Sequence, residues 1–198
     1  QLKKRIMTGS IFVLAESTSA SGIELSQWTW LGLAAFLVIL NGFFVAAEFA
    51  LVKVRISQID RMVEENLPFA KSAHWLAVRM DHSLSACQLG ITMASLALGY
   101  VGEPAFAELL KPIFKMVGVN SDKWLHFWGF VVSFSVITSL HLVIGEQAPK
   151  IFAIRRPQNM VRWCAPLMVF FFYLLFPFMY VLNWATEVFL KLVGLTGG

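Results

Sequence analysis

The chain has 198 residues, 58% of them hydrophobic and only 14% charged, with a formal net charge of +4. Soluble domains carry about 25% charged residues, and here the apolar residues fall in long runs, so one membrane-embedded domain is expected and a separate soluble enzyme domain has no room. The basic residues flank apolar runs instead of forming a polar stripe, which argues against nucleic acid as a partner, and two cysteines, Cys87 and Cys164, make neither a disulfide framework nor a metal-binding spacing.

Residues 1–27 begin "QLKKRIMTGSIFVLAESTSASG", whose apolar run covers only Ile11 to Ala15. That is too short for a signal-peptide core or a span. An extracytoplasmic polar tail is expected, partly disordered or with leader or vector-derived residues ahead of Met7. The first predicted span, residues 28–51, contains a single charge, Glu48, and carries Trp28 and Trp30 at an interface. In residues 52–82, Ile56, Ile59, Met62 and Val63 recur at helical spacing, Asn66 and Pro68 interrupt, and a second short amphipathic piece follows. These read as juxtamembrane helices lying on the bilayer surface.

The second predicted span, residues 83–106, is rich in small and polar residues and leaves the apolar zone near Gly102, Glu103 and Pro104. The third, residues 124–154, is interrupted at Gly145 and Pro149. The last apolar stretch, residues 161–195, contains Pro166 and Pro177 and is expected to be juxtamembrane or re-entrant, dipping in and returning. The predicted fold is an all-α integral membrane protein with three transmembrane helices plus cytoplasmic juxtamembrane and re-entrant helices. Lysine and arginine concentrate in residues 52–82 and 150–162, whereas residues 102–123 hold only Lys111, Lys115 and Lys123. The positive-inside rule then places the N-terminus outside and the C-terminus in the cytoplasm, in the plasma (inner) membrane.

Polar residues line one face of each predicted span. Gln88, Thr92, Ser95 and Gly99 stand at i, i+4, i+7 and i+11; Asn41 and Glu48 are two turns apart; Ser135, Thr138, Gly145 and Pro149 share a face, with Ser139 and Glu146 beside them. Proline at 149 has no N–H for the carbonyl of residue 145, and a freed carbonyl at membrane depth must line a cavity or find a partner. An intramembrane carboxylate at a helix break is a functional candidate in its own right. Glu146, Asn41, Ser95 and the backbone at Gly90 and Gly145 are therefore the candidate metal ligands for a hard cation such as Mg2+ or Na+. Thr92, Gln88, Glu48, Ser139 and Pro149 are expected around them. Simpler readings stand beside these: Asn41 as inter-helix glue, Glu48 snorkelling or paired with Lys53, Thr92 and Gln88 as packing, and His141 as an interior histidine satisfied by a neighbour. No HExxH, GxSxG or phosphate-cradling glycine loop is present, and Ser139 and His141, two apart, face different ways, so an enzyme is not expected.

At these residues the chain resembles the membrane domain of the CorC/CNNM (cyclin M, hemolysin-like) family. The marks are "NGFFVAAEFALVKVR", "QLGITMASLALGYVGEP" and "GEQAPK", and the likeness extends over about residues 30–195. The resemblance implies a homodimeric three-span domain linked to Mg2+ export, in some members driven by Na+. It also implies cytoplasmic CBS and CorC/HlyC domains, absent from this chain, through which adenine nucleotide would act. Asn41, Ser95 and Glu146 match the family's ion-site positions. Where the family carries an asparagine-rich run, this chain has "GITMAS" at 90–95, with Ile91, Thr92 and Ser95 at the asparagine positions. Two functions follow as expectations: a cation transporter domain, or a non-transporting dimeric membrane anchor that relays a nucleotide signal.

Overall fold

The computed structural model describes residues 2–116 and 122–192, with side chains described for 28–102, 106, 124, 127–182 and 184–192. The described residues form helices α1 (Leu2–Lys53), α2 (Ile56–Glu64), α3 (Ala70–Val78), α4 (Met80–Met116) and α5 (Asp122–Leu140), a π-helical segment (His141–Gln147), and helices α6 (Ala148–Arg155) and α7 (Pro157–Leu192). Four segments are long and apolar enough to cross a bilayer: Trp28–Lys53, Met80–Gly102, Phe127–Arg155 and Pro157–Leu192.

The fourth corrects the expectation of three spans with a juxtamembrane or re-entrant tail. Helix α7 runs unbroken for 36 residues with Pro166 and Pro177 inside it. Each proline deletes one N–H but leaves the helix otherwise intact, and membrane helices tolerate this where neighbours pack around the freed carbonyl. The packing is visible along α7. Cys164, Ala165 and Met168 lie with Ala47 and Leu51 of α1, the Phe171 ring meets Phe44 edge-on at 4.9 Å, and Leu174 and Leu175 reach Leu37 and Leu40. Thus α7 rises antiparallel beside α1, while Met168 Sδ touches Cys87 Sγ of α4 at 3.6 Å.

Two further readings shift. Helix α4 continues through Pro104 to Met116. The third candidate span is not broken at Gly145, because the chain stays helical and widens into the π-helical turn.

The chain divides into two compact units, residues 1–36 with 98–138, and residues 37–97 with 139–198. In the first, Gly102 of α4 lets Ile137 of α5 approach: a Cβ there would lie 3.1 Å from Ile137 Cδ1. In the second, α2 and α3 form a short hairpin. Ile59 and Met62 on α2 and Ala70, Ala73 and Leu76 on α3 are buried, which fits the amphipathic pattern of these segments. The connection takes Asn66 (φ 52°) and Phe69 (φ 64°) into the left-handed region. Asparagine tolerates that conformation; phenylalanine pays for it in strain and is held by an edge contact with Trp163 at 5.6 Å. Trp75 of α3 packs on Phe172 of α7 at 5.0 Å, fixing the hairpin against the fourth candidate span.

Candidate functional site

The site grows out of one backbone defect. In the π-helical segment the Ala148 N–H bonds to the Val143 carbonyl, five residues back. Pro149 has no N–H, so the helix offers no i+5 donor to the Ile144 carbonyl and no i+4 donor to the Gly145 carbonyl. The Gly145 oxygen finds its donor on another span: Asn41 Nδ2 reaches it at 3.0 Å, and Asn41 is fully buried. Gly42 makes the approach possible, since a Cβ there would sit 3.0 Å from Pro149 Cγ and 3.4 Å from the Ile144 oxygen.

The second span joins through Ser95, whose hydroxyl donates to Asn41 Oδ1 at 3.1 Å. Ser95 Oγ also lies 3.5 Å from His141 Nε2, and that nitrogen is 3.1 Å from Glu146 Oε1. The hydrogen-bond directions are constrained. Ser95 spends its hydrogen on Asn41, so it accepts from His141, and the carboxylate also accepts. This assigns the hydrogen to Nε2 and leaves Nδ1, buried and without a hydrogen-bond partner, packed against Gly145, where a Cβ would lie 3.1 Å from it. The polar groups form a closed chain: Gly145, Asn41, Ser95, His141, Glu146.

Four of the ten expected residues, Asn41, Ser95, Gly145 and Glu146, thus meet in one network drawn from three candidate spans, and Pro149 creates its defect. The others lie elsewhere. Gly90 sits under the Phe44 ring, where a Cβ would meet ring carbons at 2.6–2.7 Å, and lines an apolar cavity with Met93, Ala94 and Leu174. Its missing side chain allows close packing of α4 on α1. Thr92 Oγ1 donates to its own helix at the Gln88 carbonyl, 2.9 Å away, and both residues are exposed on the outer side of α4. Ser139 is exposed as well. Glu48 is half-buried with Lys150 as its electrostatic neighbour, and Lys150 Nζ lies 4.6 Å over the Phe49 ring.

His141, whose sequence context suggests only an ordinary interior histidine, is a participant. Its partner is Glu146, five positions on, about 140° away around an α-helix. The i→i+5 register of the π-helical turn brings the two together. A histidine five residues before the acid of a glycine–acid–x–x–proline motif is the signal that points to it.

Among the described residues no three His, Cys, Asp or Glu side chains gather as a metal-binding group. The donors here are one carboxylate, one amide oxygen, one hydroxyl and one freed carbonyl. Such a set suits hard cations, which take oxygen ligands, over those that prefer nitrogen or sulfur.

A membrane domain whose described residues form helices, with four candidate spans and a partly buried carboxylate at a π-helical turn, is thereby defined. Residues 32–198 match the family model described as the cyclin M transmembrane N-terminal domain. The chain is 40% identical over 163 residues to the UPF0053 protein YugS of Bacillus subtilis, covering 82% of this chain and 38% of that protein. It is 42% identical over 163 residues to YhdT of the same organism (82% and 35%) and 33% identical over 164 residues to sll0260 of Synechocystis (81% and 36%). The chain belongs to the cyclin M (CNNM) transmembrane domain family. It spans somewhat over a third of the length of these relatives.

Proposed function

We propose that this domain carries a hard cation, Mg2+ as the first choice and Na+ as the second, through a site made by Glu146, Asn41, Ser95 and the Gly145 carbonyl. The observation that supports this most is that one hydrogen-bonded network, drawn from three candidate spans, links Glu146, Ser95 and Asn41 to the Gly145 carbonyl, which lacks its i+4 helical donor at Pro149. Mg2+ demands near-octahedral oxygen geometry and keeps several waters, so four protein oxygens with two waters make a chemically sound shell. Ser95 supplies a smaller and weaker donor than an asparagine amide would, which fits a partly hydrated ion.

The carboxylate provides the charge. For the ion to be held, Glu146 exchanges its hydrogen bond from His141 for the cation, and Asn41 Oδ1 exchanges the one from Ser95. A site that closes on itself when the cation leaves suits alternating access, because in the emptied state its four oxygen groups keep hydrogen-bond partners. Outward Mg2+ movement against its gradient draws on another gradient, Na+ being the natural choice. The basic segments 52–82 and 150–162 favour a cytoplasmic face there. With four crossings, the Trp28 end of the first span and the Leu192 end of the fourth both lie on the opposite face, which departs from the expected cytoplasmic C-terminus. A homodimer and adenine-nucleotide control through CBS domains outside this chain complete the reading.

The same closed hydrogen-bond chain also favours a second reading, a membrane anchor in which these groups are only inter-helix glue. Flux separates the two. Reconstituted in liposomes, the protein moves Mg2+ or Na+ and Glu146→Gln does not; absence of flux in both supports the anchor.

A further inference from the structure

The first candidate span ends at Lys53, the third at Arg155, and the fourth starts at Pro157. Around these ends the chain encloses an open cavity of about 450 Å³ lined by Gln58, Arg155, Arg156, Pro157, Gln158 and Asn159. Two of the lining side chains are cations, three are amides, and none is a carboxylate. Gln58 Oε1 accepts the Arg55 N–H at 3.2 Å, and its amide offers two N–H donors as well. The volume falls in the range of small-ligand sites.

The neighbouring turn of α7 adds donors. Arg156, which precedes the helix, has no acceptor to cap it, and no acidic side chain stands in the first turn. Arg162, one turn further along α7, is not among the lining residues; its guanidinium lies 5.7 Å over the Trp163 ring. Its Nε is buried with no hydrogen-bond partner. The complementary ligand is an oxyanion with several acceptors. Arginine forks match phosphate oxygens bidentately. The cavity lies at the joint of two apolar candidate spans, where the headgroups of a bilayer stand, and basic pockets between membrane helices recognise such headgroups.

We propose that this cavity binds a phosphate group presented by an anionic phospholipid, with Arg155 and Arg156 as its principal contacts. The proposal is independent of the cation site.

The test measures retention of phosphatidylglycerol against phosphatidylcholine by the detergent-solubilised protein, using native mass spectrometry. At about 1 kcal/mol per basic residue near the surface, two arginines correspond to a preference of roughly 30-fold for the anionic lipid. Arg155→Gln/Arg156→Gln should abolish this preference with helicity unchanged, and Arg155→Lys/Arg156→Lys should keep most of it. Arg61→Gln/Arg79→Gln, two basic residues outside the cavity lining, should leave it intact. Millimolar inorganic phosphate identifies the source. Displacement of the lipid by phosphate supports the phosphate site and assigns it to soluble phosphate compounds; no displacement supports the lipid. Equal retention of the two lipids by the wild type overturns the proposal, as does equal loss in the Arg61/Arg79 pair. If the glutamine pair unfolds, the wild-type preference and the lysine pair decide.

Discussion

Asn41 and Gly145 are 104 residues apart in sequence, yet the Asn41 side-chain amide donates to the Gly145 carbonyl at 3.0 Å inside the second unit. The bond exists because Pro149 cannot make it. One missing N–H on the third candidate span thereby recruits a buried amide on the first, and through its other end a hydroxyl on the second.

Removing that amide should be costly. Asn41→Ala takes the donor from the Gly145 carbonyl and the acceptor from the Ser95 hydroxyl, and inter-helix hydrogen bonds in membranes are worth about 0.6 kcal/mol on average and up to about 1.7. With two bonds lost, a destabilisation of about 1–2 kcal/mol is expected, measured by reversible unfolding in mixed micelles. Asn41→Asp should be worse, since it sets a carboxylate against the carbonyl it replaces as partner.

Gly42 and Pro149 should be coupled. Gly42→Ala brings a Cβ to 3.0 Å from Pro149 Cγ, and overpacking of this kind costs about 1–3 kcal/mol. Pro149→Ala removes the ring atom in the way, so the double variant should be more stable than the sum of the single effects allows. A double-mutant cycle should show a coupling of at least about 0.5 kcal/mol; strict additivity would mean that the contact is not what requires glycine.

His141 competes with the cation for Glu146. The Nε2 bond to Oε1 at 3.1 Å has to be given up when the carboxylate takes an ion, and hydrogen bonds to charged groups are worth about 1.5–3 kcal/mol. His141→Ala should therefore bind Mn2+ roughly tenfold more tightly while lowering the stability of the ion-free protein. Weaker Mn2+ binding in this variant would mean that the imidazole positions the carboxylate instead of competing for it.

Much of this was legible before any coordinates. Three apolar runs of the right length marked three spans. The Pro149 rule identified the Gly145 carbonyl as the atom in need of a partner, and Asn41 proved to be that partner. What escaped had physical reasons. Pro166 and Pro177 read as breakers of the last apolar run, but a helix packed along α1 accommodates both. His141 and Glu146 point apart in α-helical geometry and meet only through the π-helical register. Gly90 also admits the Phe44 ring, a role that its spacing does not announce. Sequence spacing alone does not separate a glycine kept for its carbonyl from one kept for its lack of a side chain.

The central claim is that Glu146, Asn41, Ser95 and the Gly145 carbonyl together hold one hard cation. Electron paramagnetic resonance of free Mn2+ titrated into the purified protein tests this most directly. The account predicts one Mn2+ per chain, displaced by Mg2+, with affinity reduced at least tenfold in Glu146→Gln and clearly weakened in Asn41→Ala and Ser95→Ala. Mn2+ binding that is equal in the wild type and all three variants would contradict it.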